Sequence, residues 1–317
     1  MDLSVIIPAH NPDATRLRRT LAGLRAQTLP ADRWETVLVD NASSPAIDLA
    51  PFSTDTPNRL RLVRESELGL TAARRRGITE ARGEILVLVD DDNVLAPDYL
   101  EQVLALFAAH PRVGTLGGKS TPEFAVRPPA WANEFFHLLA LRDLGDAALI
   151  SAGLRPPDAA HNLYPICAPI GAGMALRRSS VTPWLDALAR NPERATFDRR
   201  GTALVSGGDN DLVLTLMAAG WEVAYFPQLT LTHLIPAERL EPGYLVRLHR
   251  AMQTSWMHVL SLHGASPWPP LTPLGAALRK TKAWFTHHPW SSPAAHIRYA
   301  GACGHFEGRM ARQKTLP

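Results

Sequence analysis

Three adjacent carboxylates, Asp90-Asp91-Asp92, close a run of five apolar residues from Ile85 to Val89. Side chains of like charge repel one another, so a fold gains little by placing three of them together. A divalent cation relieves that repulsion. Hard oxygen ligands suit Mg2+ or Mn2+, and such an ion can hold a diphosphate. The alternative is a solvated acidic turn that caps a helix starting near Pro97. A second acidic group lies in Ser206-Gly207-Gly208-Asp209-Asn210-Asp211-Leu212, a glycine turn ahead of a helix expected over Leu212 to Ala219. Asp209 and Asp211 could be helix caps or a reactive pair. His233 ends a short apolar stretch, Leu229 to His233. A lone histidine is usually structural, and this one gains meaning only beside a metal site.

Strands and helices must bring these groups together. Leu3 to Ile7, Thr36 to Val39, Leu60 to Val63, Ile85 to Val89 and Val113 to Gly118 read as strands, rich in Val, Ile and Leu. Between them, Asp13 to Gln27, Thr71 to Arg82 and Pro97 to His110 carry apolar residues at helical spacing. Alternation of this kind predicts an α/β fold, a mostly parallel sheet with helices on both faces. Ligands bind such sheets beyond the C-terminal strand ends, where Asn11, Asp40 and Asp90 to Asp92 recur. Glu123 to Pro169 breaks the pattern. Rich in proline and aromatics, it reads as an irregular insertion, about 120–169, with one helix near Ala132 to Leu141 and Trp131 at its start. Ile170 to Met174 holds Gly171 and Gly173 without the third glycine or the strand-to-helix setting of a dinucleotide site. Glycines there are expected to let backbone approach a ligand.

Composition bounds the class. The chain has 317 residues, 46% hydrophobic and 20% charged, with a net charge of +3. This is globular and gives no argument for nucleic acid. Two distant cysteines, Cys167 and Cys303, form neither a disulfide framework nor a zinc spacing, which fits a reducing cytoplasm. The N-terminus has no signal-peptide pattern, and no apolar stretch is long enough to span a bilayer. Charge is uneven: from Arg239 to Pro317 ten Lys or Arg face two Glu, about +8, with Trp256, Trp268, Trp284 and Trp290 among them. That basic tail suits an anionic membrane surface or a lipid-linked phosphate; a solvated basic helical layer is the alternative.

Taken in order, several short segments resemble the family 2 glycosyltransferases, which have the GT-A (Rossmann-like) fold. They are Val5-Ile6-Ile7-Pro8-Ala9-His10-Asn11, Val39-Asp40-Asn41-Ala42-Ser43, Gly69-Leu70-Thr71-Ala72-Ala73-Arg74 and Val89-Asp90-Asp91-Asp92. Gly171-Ala172-Gly173-Met174, Gly207-Gly208-Asp209-Asn210-Asp211-Leu212, Pro227 and His233 complete the set. The resemblance spans residues 3 to 235 and implies one catalytic domain over 1–235, followed by a basic, mainly helical extension over 236–317. It implies a nucleotide-diphosphate sugar donor (UDP, GDP or dTDP) and a divalent metal, Mn2+ or Mg2+. By it, Pro8, Ala9, His10, Asn11, Asp40, Arg74, Asp90, Asp91 and Gly173 would hold the donor. Asp90, Asp92 and His233 would hold the metal. Asp209 would be the catalytic base, with Met174, Asp211 and Trp131 toward the acceptor. Gly208 departs from the family pattern, which usually has Glu there; Arg75 stands where Asn is common.

One carboxylate base and a single displacement imply inversion at the sugar. The acceptor expected is a glycan or lipid-linked precursor, and the place of action the cytoplasm, at the inner face of the membrane if the tail binds lipid. Two other classes compete. A nucleotidyltransferase usually opens with a Gly-rich basic loop, absent from Pro8 to Pro12. A non-catalytic sugar-nucleotide or glycan-binding protein would not need the full set Asp90, Asp92, Asp209 and His233.

Overall fold

A computed structural model describes residues 1–57, 59–151 and 164–310. Part of the expected insertion, 152–163, and the tail residues Arg312 and Lys314 lie outside the described residues.

The first strand, β1 (Leu3–Ala9), is buried along its whole length and lies between β2 (Trp34–Asn41) and β4 (Ile85–Leu88), parallel to both. β3 (Leu60–Glu65) extends this parallel half beyond β2. Alternate residues serve opposite faces, as strand geometry requires. Val5, Ile7, Ile85 and Val87 face one core with Leu17, Leu21 and Leu24 of α1 (Ala14–Arg25) and Leu100, Val103 and Phe107 of α3 (Tyr99–Ala109). Ile6, Leu86 and Leu88 face the other, with Ala73 and Ile78 of α2 (Leu70–Glu80). Trp184 of α4 (Arg178–Arg190) and Leu212 and Leu216 of α5 (Gly208–Ala218) complete that layer. The fold is thus the mixed α/β sheet between helical layers that the sequence predicts.

The second half departs in detail. After the acids comes β5 (Asn93–Leu95), then β6 (Val113–Phe124), β7 (Leu149–Ser151), β8 (Ala175–Arg177) and β9 (Glu222–Ile235). The sheet runs β3-β2-β1-β4-β8-β6-β9-β5, with β7 also on β9. β8 is antiparallel to β4 and β6, and β5 and β7 are antiparallel to β9. The apolar stretch Leu229 to His233 is the second half of a longer strand, β9, which shows a register shift against β6 between Gly117 and Lys119. β5 separates the three acids from α3, whose N-terminal residue Asp98 makes no side-chain cap. The acids therefore cap no helix, and the acidic-turn alternative falls.

The tail forms α6 (Pro242–Leu262), α7 (Pro273–His287) and α8 (Pro293–Gly308). The insertion supplies the expected helical segment, Ala130–Leu139, tightly wound as a 3-10 helix. Ala132, Phe135, Leu138 and Leu139 of that segment share one apolar cluster with Ile235, Leu240, Leu245, Leu248 and Ile297. The expected boundary between 235 and 236 runs through this cluster. Among the described residues no helix is long and apolar enough to cross a membrane.

Candidate functional site

A cleft of about 460 Å³ opens beyond the C-terminal ends of β1 and β4. Pro8, Ala9, His10 and Asn11 line one side, Asp90, Asp91 and Asp92 the floor, and Asp209, His233 and Arg239 the far side. His137 to Ala140 and, from α6, Tyr244 and Met252 add a wall.

Backbone register sets the acids against the histidine. β5 pairs with β9 so that Asn93 faces His233, and the Leu234 N–H donates to the Asp92 carbonyl at 2.9 Å. A one-residue slip would turn His233 to the other face. His233 Nε2 lies 3.4 Å from Asp92 Oδ1. Arg239 joins them: its guanidinium donates to Asp92 Oδ2 at 2.9 Å and lies 3.1 Å from His233 Nε2. Asp92 is held well below the usual carboxylate range by His233 and Arg239, against its burial. Burial and the neighbouring Asp92 and Asp90 push Asp91 up to about 7. Burial likewise raises Asp90, reinforced by Asp92 and Asp209 and opposed by Arg74 and His233.

The carboxylates suit Mn2+ or Mg2+, whereas an imidazole nitrogen is a poor partner for Mg2+. The arrangement nevertheless does not fit a metal as it stands. Among the described residues no three His, Cys, Asp or Glu side chains converge on a point where an ion could sit. The positive partner of Asp92 and His233 is Arg239.

Asp209 lies in the first turn of α5, one turn earlier than the helix start expected from sequence, and caps nothing. Its Oδ2 accepts from the Gly171 N–H at 2.8 Å, and its Oδ1 pairs with Arg74. A Cβ at position 171 would sit 2.6 Å from Asp209 Oδ2, so only glycine lets this backbone come so close. Arg74 is buried at α2 and also reaches Asp198 at 3.2 Å. Asp198, in the loop before α5, lines the cleft as well. Burial raises its carboxyl to about 6, with Arg74 opposing and Asp209 reinforcing the shift. Asp209 thus has two of its acceptor positions occupied by fixed donors and keeps a partly exposed carboxylate facing the cleft.

Several expected site residues lie elsewhere. Asp40 is buried and folds back on its own loop, accepting from Ser43 N at 3.0 Å and Ile47 N at 3.1 Å and pairing with Arg64. It shapes the loop beside the cleft, and its neighbour Asn41 is the residue that lines it. Arg74 acts behind Asp209 instead of on the cleft surface. Met174 is packed in the core with Leu176 and Leu212 and does not line the cleft. Asp211 is buried against Trp184 Nε1 at 3.1 Å, Arg194 at 2.6 Å and His263 at 2.8 Å. Trp131 packs on the cluster shared by insertion and tail, while His137 to Ala140 form the wall. Gly173 has φ +75°, a left-handed conformation that glycine adopts freely. Its carbonyl takes the Tyr99 hydroxyl at 2.6 Å. Sequence reasoning missed Asp198, Arg199, Arg239, Arg16 and Tyr164, all of which line the cleft.

Residues 4–181, more than half of the chain, match the family described as glycosyl transferase family 2. The chain belongs to that family. Among curated relatives, the putative glycosyltransferase EpsH of Bacillus subtilis is 35% identical over 103 residues, 32% of this chain and 29% of EpsH. The glycosyltransferase AglE of Haloferax volcanii is 34% identical over 102 residues, 32% of this chain and 33% of AglE. The matches thus span about a third of these relatives' length. Among solved structures, S. aureus TarS 1-349 in complex with UDP aligns over 98% of this chain and 90% of that one, with TM-score 0.50 and 13% identity. TarS 1-349 in complex with UDP-GlcNAc gives TM-score 0.52 at 13% identity. At such identity the likeness is one of fold.

Proposed function

We propose that this family member transfers a sugar from a nucleotide-diphosphate donor to an acceptor hydroxyl with inversion. The observation that carries the reading is Asp209: a carboxylate fixed by Gly171 N–H and Arg74 and open to the cleft that Asp90 to Asp92 also line. An acceptor hydroxyl attacking the sugar must lose a proton, and a base within hydrogen-bond reach takes it. The base would be Asp209. The donor would lie along Pro8 to Asn11 and Asn41, with its diphosphate over the acids. Arg239, Arg199 and Arg16 line the same cleft and would balance the charge that grows on the leaving diphosphate. Fixed cations near developing charge need no reorganisation during reaction.

Of the donors UDP, GDP and dTDP, UDP-linked sugars come first for testing, since TarS was captured with UDP and UDP-GlcNAc. Divalent metal assistance by Mn2+ or Mg2+ enters this reading through the family pattern alone. A metal on Asp92 and His233 would have to take them from Arg239. The acceptor we propose is a glycan or a lipid-linked precursor, met at the inner face of a membrane. α7 supports that contact: Leu274 is 70% exposed, Leu278 63% and Phe285 64%, and Arg279 and Lys282 flank them. Apolar anchors beside basic residues are what an anionic membrane surface binds.

Product analysis tests the central reading. With an α-linked donor, NMR of the product should give a β linkage, and an α product would rule out single displacement. Asp209→Asn should abolish transfer and leave donor affinity nearly unchanged. A variant that keeps most of its activity would remove Asp209 from the role.

A further inference from the structure

Position 208 is the point in α5 where the side chain expected from the family pattern is missing. The space that side chain would enter is filled. A Cβ at Gly208 would lie 2.7 Å from Asp198 Cγ and 3.0 Å from Asp198 Cβ, inside van der Waals contact. Asp198 arrives there from the loop before α5, ten residues earlier in sequence. Local backbone holds it: Arg199 N–H donates to Asp198 Oδ1 at 2.9 Å, Gly207 N–H to the Phe197 carbonyl at 2.6 Å, and Leu70 N–H to the Arg199 carbonyl at 2.9 Å. Those bonds tie the loop to the first turns of both α5 and α2. Asp198 is 5% exposed, and its Oδ2 takes Arg74 Nη1 at 3.2 Å.

We infer that Asp198 is the positioning residue of this site: its carboxylate takes the place of a side chain at 208 and fixes the Arg74 guanidinium that orients Asp209. The chain of contacts is Asp198 to Arg74 to Asp209 to the Gly171 N–H. Both carboxylates take the same nitrogen, Arg74 Nη1, whose two N–H groups can serve one acid each, so the pair of acids together sets its direction. With Asp198 gone, Arg74 would stay buried with one partner and turn toward it, and Asp209 would follow. Gly208 and Asp198 are therefore one unit. Glycine is required at 208 because Asp198 is present, and an acid at 208 becomes tolerable only when Asp198 is absent. An aspartate at 208 would set its own carboxylate in the same space, at a helix N-terminus that favours negative charge.

The inference rests on the proposed role of Asp209 as base, yet its first test does not. In thermal melts of the full chain, Gly208→Asp alone should lower Tm through the clash. Asp198→Ala alone should lower it by leaving Arg74 half-paired. The double variant Asp198→Ala with Gly208→Asp should recover most of both losses. Losses that simply add would overturn the claim that the two positions share one space. The second test reads orientation: at one fixed pH the backbone 15N–1H resonance of Gly171, which donates to Asp209, should move in Asp198→Ala and return toward its native position in Asp198→Glu. An unmoved Gly171 resonance in Asp198→Ala would overturn the link through Arg74. The third test is turnover of UDP-GlcNAc, measured as UDP release. Asp198→Ala should lower kcat by roughly a hundredfold, the cost of a misplaced catalytic group, with KM within about twofold. Failure of the base assignment is seen separately, as activity surviving in Asp209→Asn. Loss in Asp209→Asn together with full activity in Asp198→Ala would sink the positioning role alone.

Discussion

Replacing Arg239 by alanine should raise the affinity of Asp92 and His233 for a cation, because the native guanidinium occupies both. In the native protein the guanidinium donates to Asp92 Oδ2 at 2.9 Å and lies against His233 Nε2 at 3.1 Å, with its side chain 21% exposed. A cation binding Asp92 and His233 must first displace it. One hydrogen bond between charged groups is worth roughly 1.5–3 kcal/mol net. The pair is nearly buried, so screening by water reduces this only in part. Each 1.4 kcal/mol is about a factor of ten in affinity, so the variant should bind Mn2+ roughly ten- to a hundredfold more tightly. Loss of a positive charge from the site acts in the same direction. The assay is Mn2+ titration followed by electron paramagnetic resonance, without donor, on native protein and on Arg239→Ala. Asp92→Asn serves as control and should abolish the gain. Melts run in parallel, since among the described residues Asp92 in the variant keeps His233 and Asn93 as its close side-chain partners. Equal Mn2+ affinity in native protein and variant, with the variant folded, would refute the competition.

Three further outcomes follow from the geometry. Gly171→Ala should lower activity by roughly a hundredfold or more, because its Cβ would fall 2.6 Å from Asp209 Oδ2 and against Arg74; steady-state rates beside a melting curve check it, and near-native turnover would place Gly171 away from the chemistry. Burial raises Asp198 to about 6, above the roughly 3.9 of an unfolded chain, so the folded form takes up the proton first. Its contribution to stability is then present below about pH 4 and declines as pH rises to about 6. Melts across pH 4 to 7 should show that decline weakened in Asp198→Asn, and identical slopes would refute it. Vesicles containing anionic lipid should co-sediment the protein more than neutral ones, and Leu278→Glu with Phe285→Glu should abolish the difference; binding that survives both changes would move the contact off α7.

The N-terminal half was legible because each strand is an apolar run ended by polar residues. Ile85 to Val89 stopping at Asp90 states both a buried strand and its functional end. Side-chain direction was harder to read than position. Asp211 follows Asp209 by two residues, yet on a helix two residues turn through about 200°, and Asp211 points to Trp184 and His263. Asp40 sits at a strand end as expected, but a short acidic side chain readily bonds the backbone of its own turn, and it does so with Ser43 and Ile47. Asp198 and Arg239 had no signal of this kind. Each is one charged residue in a short polar stretch, and their roles come from contacts with residues over a hundred positions away, Arg74 and Asp92. The one available clue to Asp198 was the missing side chain at Gly208.

The apolar cluster shared by Ala130–Leu139 and the tail helices makes the cleft wall a joint product of two distant stretches of chain. His137 to Ala140 come from one and Tyr244 and Met252 from the other, while the strand ends that carry Pro8 to Asn11 and Asp90 to Asp92 belong to neither. Sequence change in either stretch would therefore reach the wall through the shared layer, and a chain cut after Ile235 would lose Tyr244 and Met252 of the wall along with Arg239, the partner of Asp92.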